Sequence, residues 1–195
     1  MACHNKFVLE PGFCISAVLV LYLLPLNWAL AWFAASIIHE LCHYFTMLIL
    51  GINVHSIRIT AAGAIMQTDA MTWICEIIAA LAGPAGAMCL LFVTRFYPEA
   101  ALCALLQSAY NLLPVYPLDG GRALRCFALH YLGTQRGMGL CDFVKYATLL
   151  LLLLFASVLT FCYSFGILPL FIVIMIFVRA MNLKIPCKAT KQIVQ

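Results

Sequence analysis

The sequence contains very little charge. Asp, Glu, Lys and Arg make up only 9% of its 195 residues, whereas 66% are hydrophobic. A water-soluble domain of this length needs far more charge to cover its surface, so a soluble globular protein is excluded. Long apolar runs, such as Leu149–Phe161 and Leu168–Val178, therefore indicate segments in contact with lipid.

Features of several other protein classes are also missing. No small-x-small exit follows the first apolar stretch, so a cleaved signal peptide is not indicated. The ten cysteines contain no CxxC pair, which argues against a disulfide framework or a cysteine-based zinc site. No internal repeat or second soluble domain is visible. We therefore expect a single membrane domain over residues 1–195, with no regulatory domain and no nucleic-acid partner.

The hydrophobic pattern predicts an all-α polytopic membrane protein with a short β-hairpin between its second and third spans. The fourth span, at about 16 residues, is short against the roughly 20 needed to cross a bilayer. The six predicted transmembrane helices cover, with approximate boundaries, residues 12–26, 28–50, 72–95, 99–114, 143–163 and 166–182.

Positive charge lies almost entirely on one predicted side of the membrane. Arg95 is the one basic residue on the opposite side. By the positive-inside rule, this bias predicts that both termini are cytoplasmic. The basic residues on the predicted cytoplasmic side are Lys6, Arg58, Arg122, Arg125, Arg136, Lys145, Arg179, Lys184, Lys188 and Lys191.

The segment 51–71 has the composition of β-strands. It is rich in β-branched residues, with Gly63 between two such stretches. We predict a hairpin formed by Val54–Thr60 and Ala64–Thr68 on the cytoplasmic side. It is apolar enough to enter the bilayer, where non-helical backbone is tolerated only against protein or a water-filled cavity.

The second predicted span contains the pattern HExxH, from His39 to His43. Residues four apart lie on the same face of a helix, so both imidazoles can bind one metal ion. Glu40, beside the first histidine, can then accept a proton during hydrolysis. Two histidines and a glutamate within a membrane are unfavourable unless they face a cavity, which favours function over a polar cluster that merely bridges helices.

Zinc in a catalytic site needs a third protein ligand and an open position for water. Asp119 is the best candidate. Pro114 and Pro117 cannot continue the fourth span as a helix, and Gly120 and Gly121 permit a tight backbone there. By itself, however, this segment fits an ordinary helix exit with an Asp-Gly turn equally well.

The expected depth of the residues favours Asp119 as a ligand. If the second span ends near Leu50, His43 and His39 lie roughly 10 and 16 Å below its cytoplasmic end, at 1.5 Å per residue. The short fourth span breaks at Pro114, so its continuation can place Asp119 at a similar depth. The three side chains are therefore predicted to converge.

Two segments together give a family resemblance. HExxH at 39–43 and N-x-x-P-x-x-P-L-D-G-G from Asn111 to Gly121 resemble the two signature segments of the site-2 protease family of intramembrane metalloproteases. The sequence looks closest to the bacterial sporulation branch that matures a sigma-factor precursor.

The resemblance implies an integral protein of the bacterial cell membrane that binds one Zn²⁺ through His39, His43 and Asp119. Glu40 would be the catalytic base, and Asn111 would position or polarise the scissile peptide. The partners implied are a membrane-associated protein substrate and, for the sporulation branch, a membrane-held inhibitor.

The sequence departs from the family pattern in two places. The family often has G-P-x-x-N in the third span, but here Gly83 and Pro84 are followed by Ala87 where Asn is usual. The hairpin often carries Pro-Phe-Gly-Gly, whereas this chain has Ala61-Ala62-Gly63-Ala64, which affects substrate selection more than catalysis. We expect Gly83, Pro84 and Gly86 to allow close helix contact.

Other functions are less well supported by the residues. A metal transporter would carry further metal-binding residues along a pathway or a His-rich loop. Proteases that use a downstream Glu as third ligand are disfavoured because no Glu follows Glu99. A serine intramembrane protease would need a Gly-x-Ser-Gly-like motif. The remaining alternative is a catalytically silent family member that binds partners, although retention of Glu40 speaks against it.

Overall fold

A computed structural model describes residues 6–60, 63–161, 170, 173, 174, 176, 177 and 180. The chain divides into two compact units, Met1–Asn111 and Leu112–Gln195. Most of the sixth predicted span, 166–182, lies outside the described residues, and so does the basic C-terminal tail.

Among its described residues, the first unit contains four α-helices and a three-stranded sheet. A 3₁₀-helix, Cys89–Val93, directly follows the third helix. The elements in chain order are β1 (Lys6–Leu9), α1 (Pro11–Leu23), α2 (Leu26–Ile49), β2 (Val54–Thr60), β3 (Gly63–Thr68), α3 (Trp73–Met88) and α4 (Pro98–Asn111).

The second unit contains one long helical segment, α5 (Asp119–Phe161), which is interrupted at Gly133. Gly133 has φ 71° and ψ 173°, a conformation that stops one helix and allows another to begin. We had predicted a span only from residue 143. The preceding part is helical as well, because Leu, Ala and Arg residues with strong helix propensity fill 122–132.

The first four predicted spans each coincide with a helix, with boundaries shifted by a few residues, and the described part of the fifth, 143–161, lies within α5. Helix α4 ends at Asn111, three residues before Pro114. This early end is expected because the proline ring excludes the helical conformation from the preceding residue. Two described helical stretches, Trp73–Val93 and Asp119–Phe161, are long and apolar enough to cross a membrane. The crossing of all six spans stays a prediction.

The predicted hairpin is confirmed and is part of a larger sheet. Strands β2 and β3 pair antiparallel, whereas β1 pairs with β2 in parallel, from Lys6 opposite Ser56 to Leu9 opposite Ile59. The strand order β1-β2-β3 leaves β3 at an edge. Strand β1 was not predicted, because four residues carry too little pattern to reveal a partner about 50 positions away.

Helices α2, α3 and α4 pack against one another through small side chains. Buried alanines let the helix backbones approach closely, a type of packing that is common in membrane proteins. Polar side chains between these helices form hydrogen bonds. Gln107 donates to the Trp32 carbonyl, and Ser108 donates to the Pro84 carbonyl. The cluster contains Ala31, Ala35, Ala87, Cys103 and Ala104, with Trp28 and Trp32 packed against it.

Helix α1 presents apolar side chains on all faces and has no buried residue. Ile15, Val18 and Tyr22 are 71%, 66% and 85% exposed. In water this surface would be strongly unfavourable, so it is suited to contact with lipid.

Three side chains join the two ends of the hairpin. His55 bonds through Nε2 to Asp69 Oδ1 at 2.7 Å, and Asn53 donates to Asp69 Oδ2 at 3.0 Å. These hydrogen bonds, that from His55 first, lower the pKa of the Asp69 carboxyl. His55 is exposed and is paired with Asp69.

We predict that His55→Ala raises the pKa of Asp69 towards its ordinary value. Because folding lowers this pKa, ionised Asp69 stabilises the hairpin above its unfolded pKa, and that contribution is lost as pH falls through the folded pKa. Carboxyl-carbon NMR titration measures the change. Asn53→Ala is the control and should give a smaller rise; an equal or larger rise would contradict the assignment of His55 as the main cause.

Candidate metal centre

Helix α2 brings His39 and His43 together, as the four-residue spacing predicts. Both are buried, at 6% and 8% exposure. Their Nε2 atoms lie 3.1 Å apart, and the rings meet nearly at right angles. The two imidazoles therefore direct the same nitrogen towards one small volume.

The ring of His43 is oriented by helix α3. Its Nδ1 lies 2.7 Å from the Ala79 carbonyl oxygen. A carbonyl can only accept, so Nδ1 carries the proton and donates, which leaves Nε2 with its lone pair. This arrangement is typical of metal-binding histidines, whose second nitrogen donates to a carbonyl or carboxylate that fixes the tautomer.

Helix α3 leaves space for this imidazole because residue 83 has no side chain. A Cβ on Gly83 would lie 2.2 Å from His43 Nε2. One turn later, a Cβ on Gly86 would lie 2.1 Å from Cys42 Sγ. The close helix contact expected at Gly83 and Gly86 is present, and Gly83 in particular makes room for the nitrogen that would bind metal.

Glu40 lies between the two histidines in the sequence and extends towards the hairpin. Its Oε1 accepts a hydrogen bond from the Ala64 N–H at 2.9 Å. The side chain is half-buried. The carboxylate is thus fixed at both ends, by α2 through its backbone and by β3 through its oxygen.

Asp119 is the first residue of α5 and is buried, at 8% exposure. A Cβ on Gly120 would lie 2.1 Å from the Leu112 carbonyl oxygen, and one on Gly121 would lie 2.3 Å from the backbone of Val115 and Tyr116. The two glycines therefore permit the tight backbone that the sequence predicted after Asp119.

The first unit offers two buried imidazoles for a metal ion, those of His39 and His43, and the second unit offers the buried carboxylate of Asp119. A catalytic zinc site takes three protein ligands and keeps a fourth position open for water. The two facing Nε2 atoms and the space left by Gly83 fit one Zn²⁺. Asp119 as the third ligand stays a prediction.

Some features of the site could not be predicted from the sequence. The Ala79 carbonyl and the Ala64 N–H are backbone groups, which no residue pattern distinguishes. Gly83 was visible in the Gly-Pro pair, but its contact with His43 was not. Asn111 is the last residue of α4 and half-buried, and its catalytic role stays a prediction.

Comparison with known proteins supports the resemblance. No protein-family profile matches the chain. The chain is similar to a zinc metalloprotease, MJ0392, of Methanocaldococcus jannaschii, with 25% identity over 164 residues. The match covers 73% of this chain and 48% of the relative, so the chain spans about half the relative's length.

The fold is similar to that of a solved structure, the site-2 protease from Methanocaldococcus jannaschii. The TM-score is 0.66 at 18% identity, and 95% of each chain is covered. The resemblance to the site-2 protease family, inferred above from two motifs, thus extends to the fold, and the sporulation branch stays a prediction.

We predict that Gly83→Ala weakens zinc binding, because the added methyl group displaces the His43 imidazole. The affinity should fall by at least about tenfold, the effect typical of disturbing the orientation of a ligand. Competition with a chromophoric chelator on the purified protein measures this affinity.

Gly86→Ala is the matched control, since it strains the same contact between α2 and α3 through Cys42 and not through a ligand. Equal loss of zinc by both variants would mean that helix packing, and not the position of His43, is what Gly83 protects.

Proposed function

We propose that this chain, which resembles the site-2 protease family in both motifs and fold, is an intramembrane zinc metalloprotease. It would hydrolyse a peptide bond in or near the membrane segment of a membrane-associated protein. His39, His43 and Asp119 would hold one zinc ion, and Glu40 would act as the general base.

The observation that carries this proposal is the state of the two histidines. Their Nε2 atoms lie 3.1 Å apart, and the bond from His43 Nδ1 to the Ala79 carbonyl leaves one of these atoms as a lone-pair donor. Buried imidazoles with facing nitrogens are suited to a shared metal ion. Asp119, buried at the start of α5, would supply the third ligand that a catalytic zinc site needs.

The chemistry divides between the metal and the protein. Zinc held by these residues would supply a more acidic water molecule and a Lewis acid for the peptide carbonyl. Glu40 would accept a proton from the attacking water and return it to the leaving amine. Glu40 Oε1 accepts a hydrogen bond from the Ala64 N–H of β3, and we assign its carboxylate to proton transfer and not to metal binding.

The substrate must present an extended peptide, because a transmembrane helix protects its peptide bonds by internal hydrogen bonding. Strand β3 is at the edge of the sheet, and edge strands can accept a further strand by backbone pairing. An unwound substrate segment paired there would lie beside Glu40, since Ala64 of β3 contacts this residue.

The finer parts of this proposal are predictions from the sequence. These are six membrane spans, cytoplasmic termini and a location in the bacterial cell membrane. Cleavage of a sigma-factor precursor in sporulation, restrained by a membrane-held inhibitor, is a further hypothesis. It is supported by the resemblance of the two motifs to the sporulation branch.

Glu40→Gln tests the mechanism. The amide cannot accept the proton, so cleavage should be abolished while zinc stays bound, because Glu40 is not a ligand. The assay is co-expression with single-span candidate substrates, followed by comparison of fragment sizes and measurement of zinc content.

Asp119→Ala is the companion variant and should lose both zinc and cleavage. Chelator should stop cleavage by the parent protein. Normal turnover by Glu40→Gln would remove the mechanism. Zinc binding without chelator-sensitive cleavage of any candidate would favour the alternatives, a metal transporter or a silent binding protein.

For Asn111 we predict that alanine lowers kcat and leaves zinc content unchanged. A residue that polarises the scissile carbonyl acts mainly in the transition state, and removing one such donor lowers kcat by about 10²-fold. Steady-state kinetics of the variant checks this. A rise in KM alone would assign Asn111 to substrate binding instead.

A further inference from the structure

The contact between Glu40 and the hairpin is more specific than the sequence suggested. The Ala64 N–H donates to Glu40 Oε1 at 2.9 Å, across 24 positions in the chain. Hydrogen bonds to a carboxylate are stronger than those between neutral groups. The bond joins α2, which carries the histidines, to the first residues of β3.

This bond does not compete with the sheet. Ala64 is paired with Ile59 of β2, yet its N–H is directed to α2 and not to β2. In antiparallel pairs, alternate residues direct their backbone groups away from the partner strand. Ala64 occupies such a position, so its donor is available to Glu40 without loss of a bond between β2 and β3.

Gly63 is constrained by the same carboxylate. Its φ of +114° is one that residues with side chains rarely adopt, and a Cβ would lie 2.9 Å from Glu40 Oε1. A side chain at this φ strains the backbone, and its methyl group would also displace the Glu40 carboxylate, which is the far end of a flexible side chain. Gly51 also has a positive φ, +71°, but nothing lies within 4 Å of its Cβ position.

We propose that Gly63 and Ala64 form a positioning element that holds the Glu40 carboxylate, Ala64 through its N–H and Gly63 by leaving space. Helix α2 fixes only the backbone of Glu40, and the long side chain would otherwise sample several rotamers. The strand edge on which an extended substrate would pair thus also sets the position of the proton acceptor. The catalytic consequence rests on the proposed function, whereas the contact itself does not.

The test compares Gly63→Ala with the control Gly51→Ala in the full-length, zinc-loaded protein. Infrared difference spectra, each taken against the same variant carrying Glu40→Gln, isolate the carboxylate stretching band of Glu40. Gly63→Ala should shift this band, because the hydrogen bond from Ala64 is lost. Gly51→Ala should leave it unchanged.

Ala64→Pro is the second variant, in case Gly63→Ala does not fold. Proline removes the donor and, since this N–H is not bonded to β2, leaves the pairing between the strands. The same shift of the band is expected. Zinc content should be unchanged in all variants, because none of them alters a ligand.

Cleavage of a single-span model substrate gives the second readout. Gly63→Ala should lower kcat by roughly ten- to a hundred-fold, the effect of a misplaced catalytic group, with KM changed less than about twofold. A purely structural defect would instead reduce the zinc content or the amount of folded protein.

The two proposals fail in different ways. An unshifted Glu40 band in both Gly63→Ala and Ala64→Pro overturns the positioning element, even if the parent protein cleaves. An equal shift in Gly51→Ala overturns it as well. A shifted band in a parent protein that binds zinc but cleaves no candidate substrate supports the positioning element and counts against the protease.

Discussion

The arrangement of the candidate metal centre depends on the hydrogen bond between His43 Nδ1 and the Ala79 carbonyl. This bond fixes the ring orientation and the tautomer, so that Nε2 faces His39 with its lone pair available. It can form only because α2 and α3 approach closely, and they do so because Gly83 has no side chain. One packing contact thus sets both the distance between the helices and the chemistry of the ligand.

Small residues in the helices allow the close packing on which this site depends. Alanines bring α2, α3 and α4 together, where larger side chains would keep the backbones apart. Close approach also allows side chains such as Gln107 and Ser108 to bond carbonyls of neighbouring helices. In lipid, where no water competes, such bonds satisfy groups that would otherwise be unpaired. The small side chains therefore account both for the close packing of the helices and for the hydrogen bonds between them.

The hairpin extends the site beyond the helices. Strand β3 contributes a backbone donor to Glu40 and also lies at an edge of the sheet. A proton acceptor and a surface for an extended peptide are thus held by the same few residues. The proposed role gives the short sheet a purpose among described residues that are otherwise mostly helical.

Much of this protein could be read from the residues alone. Low charge and long apolar runs predicted the helices, and β-branched residues predicted the hairpin. The four-residue spacing predicted that the two histidines share one face of a helix. Each of these signals is a local pattern in the sequence. Strand β1 and the helix at the start of α5 were missed, since a four-residue strand and a moderately polar helix carry weak patterns.

Tertiary structure decided the rest. The segment around Asp119 fitted a ligand and an ordinary helix exit equally well, and the fold shows that this aspartate is buried at the start of α5. The Ala79 carbonyl and the Ala64 N–H belong to backbone that every residue possesses, so no sequence pattern could identify them. Candidate ligands can be identified from their residue types and spacing in the sequence. The backbone groups that orient them depend on packing between residues far apart in the chain, which the sequence does not show.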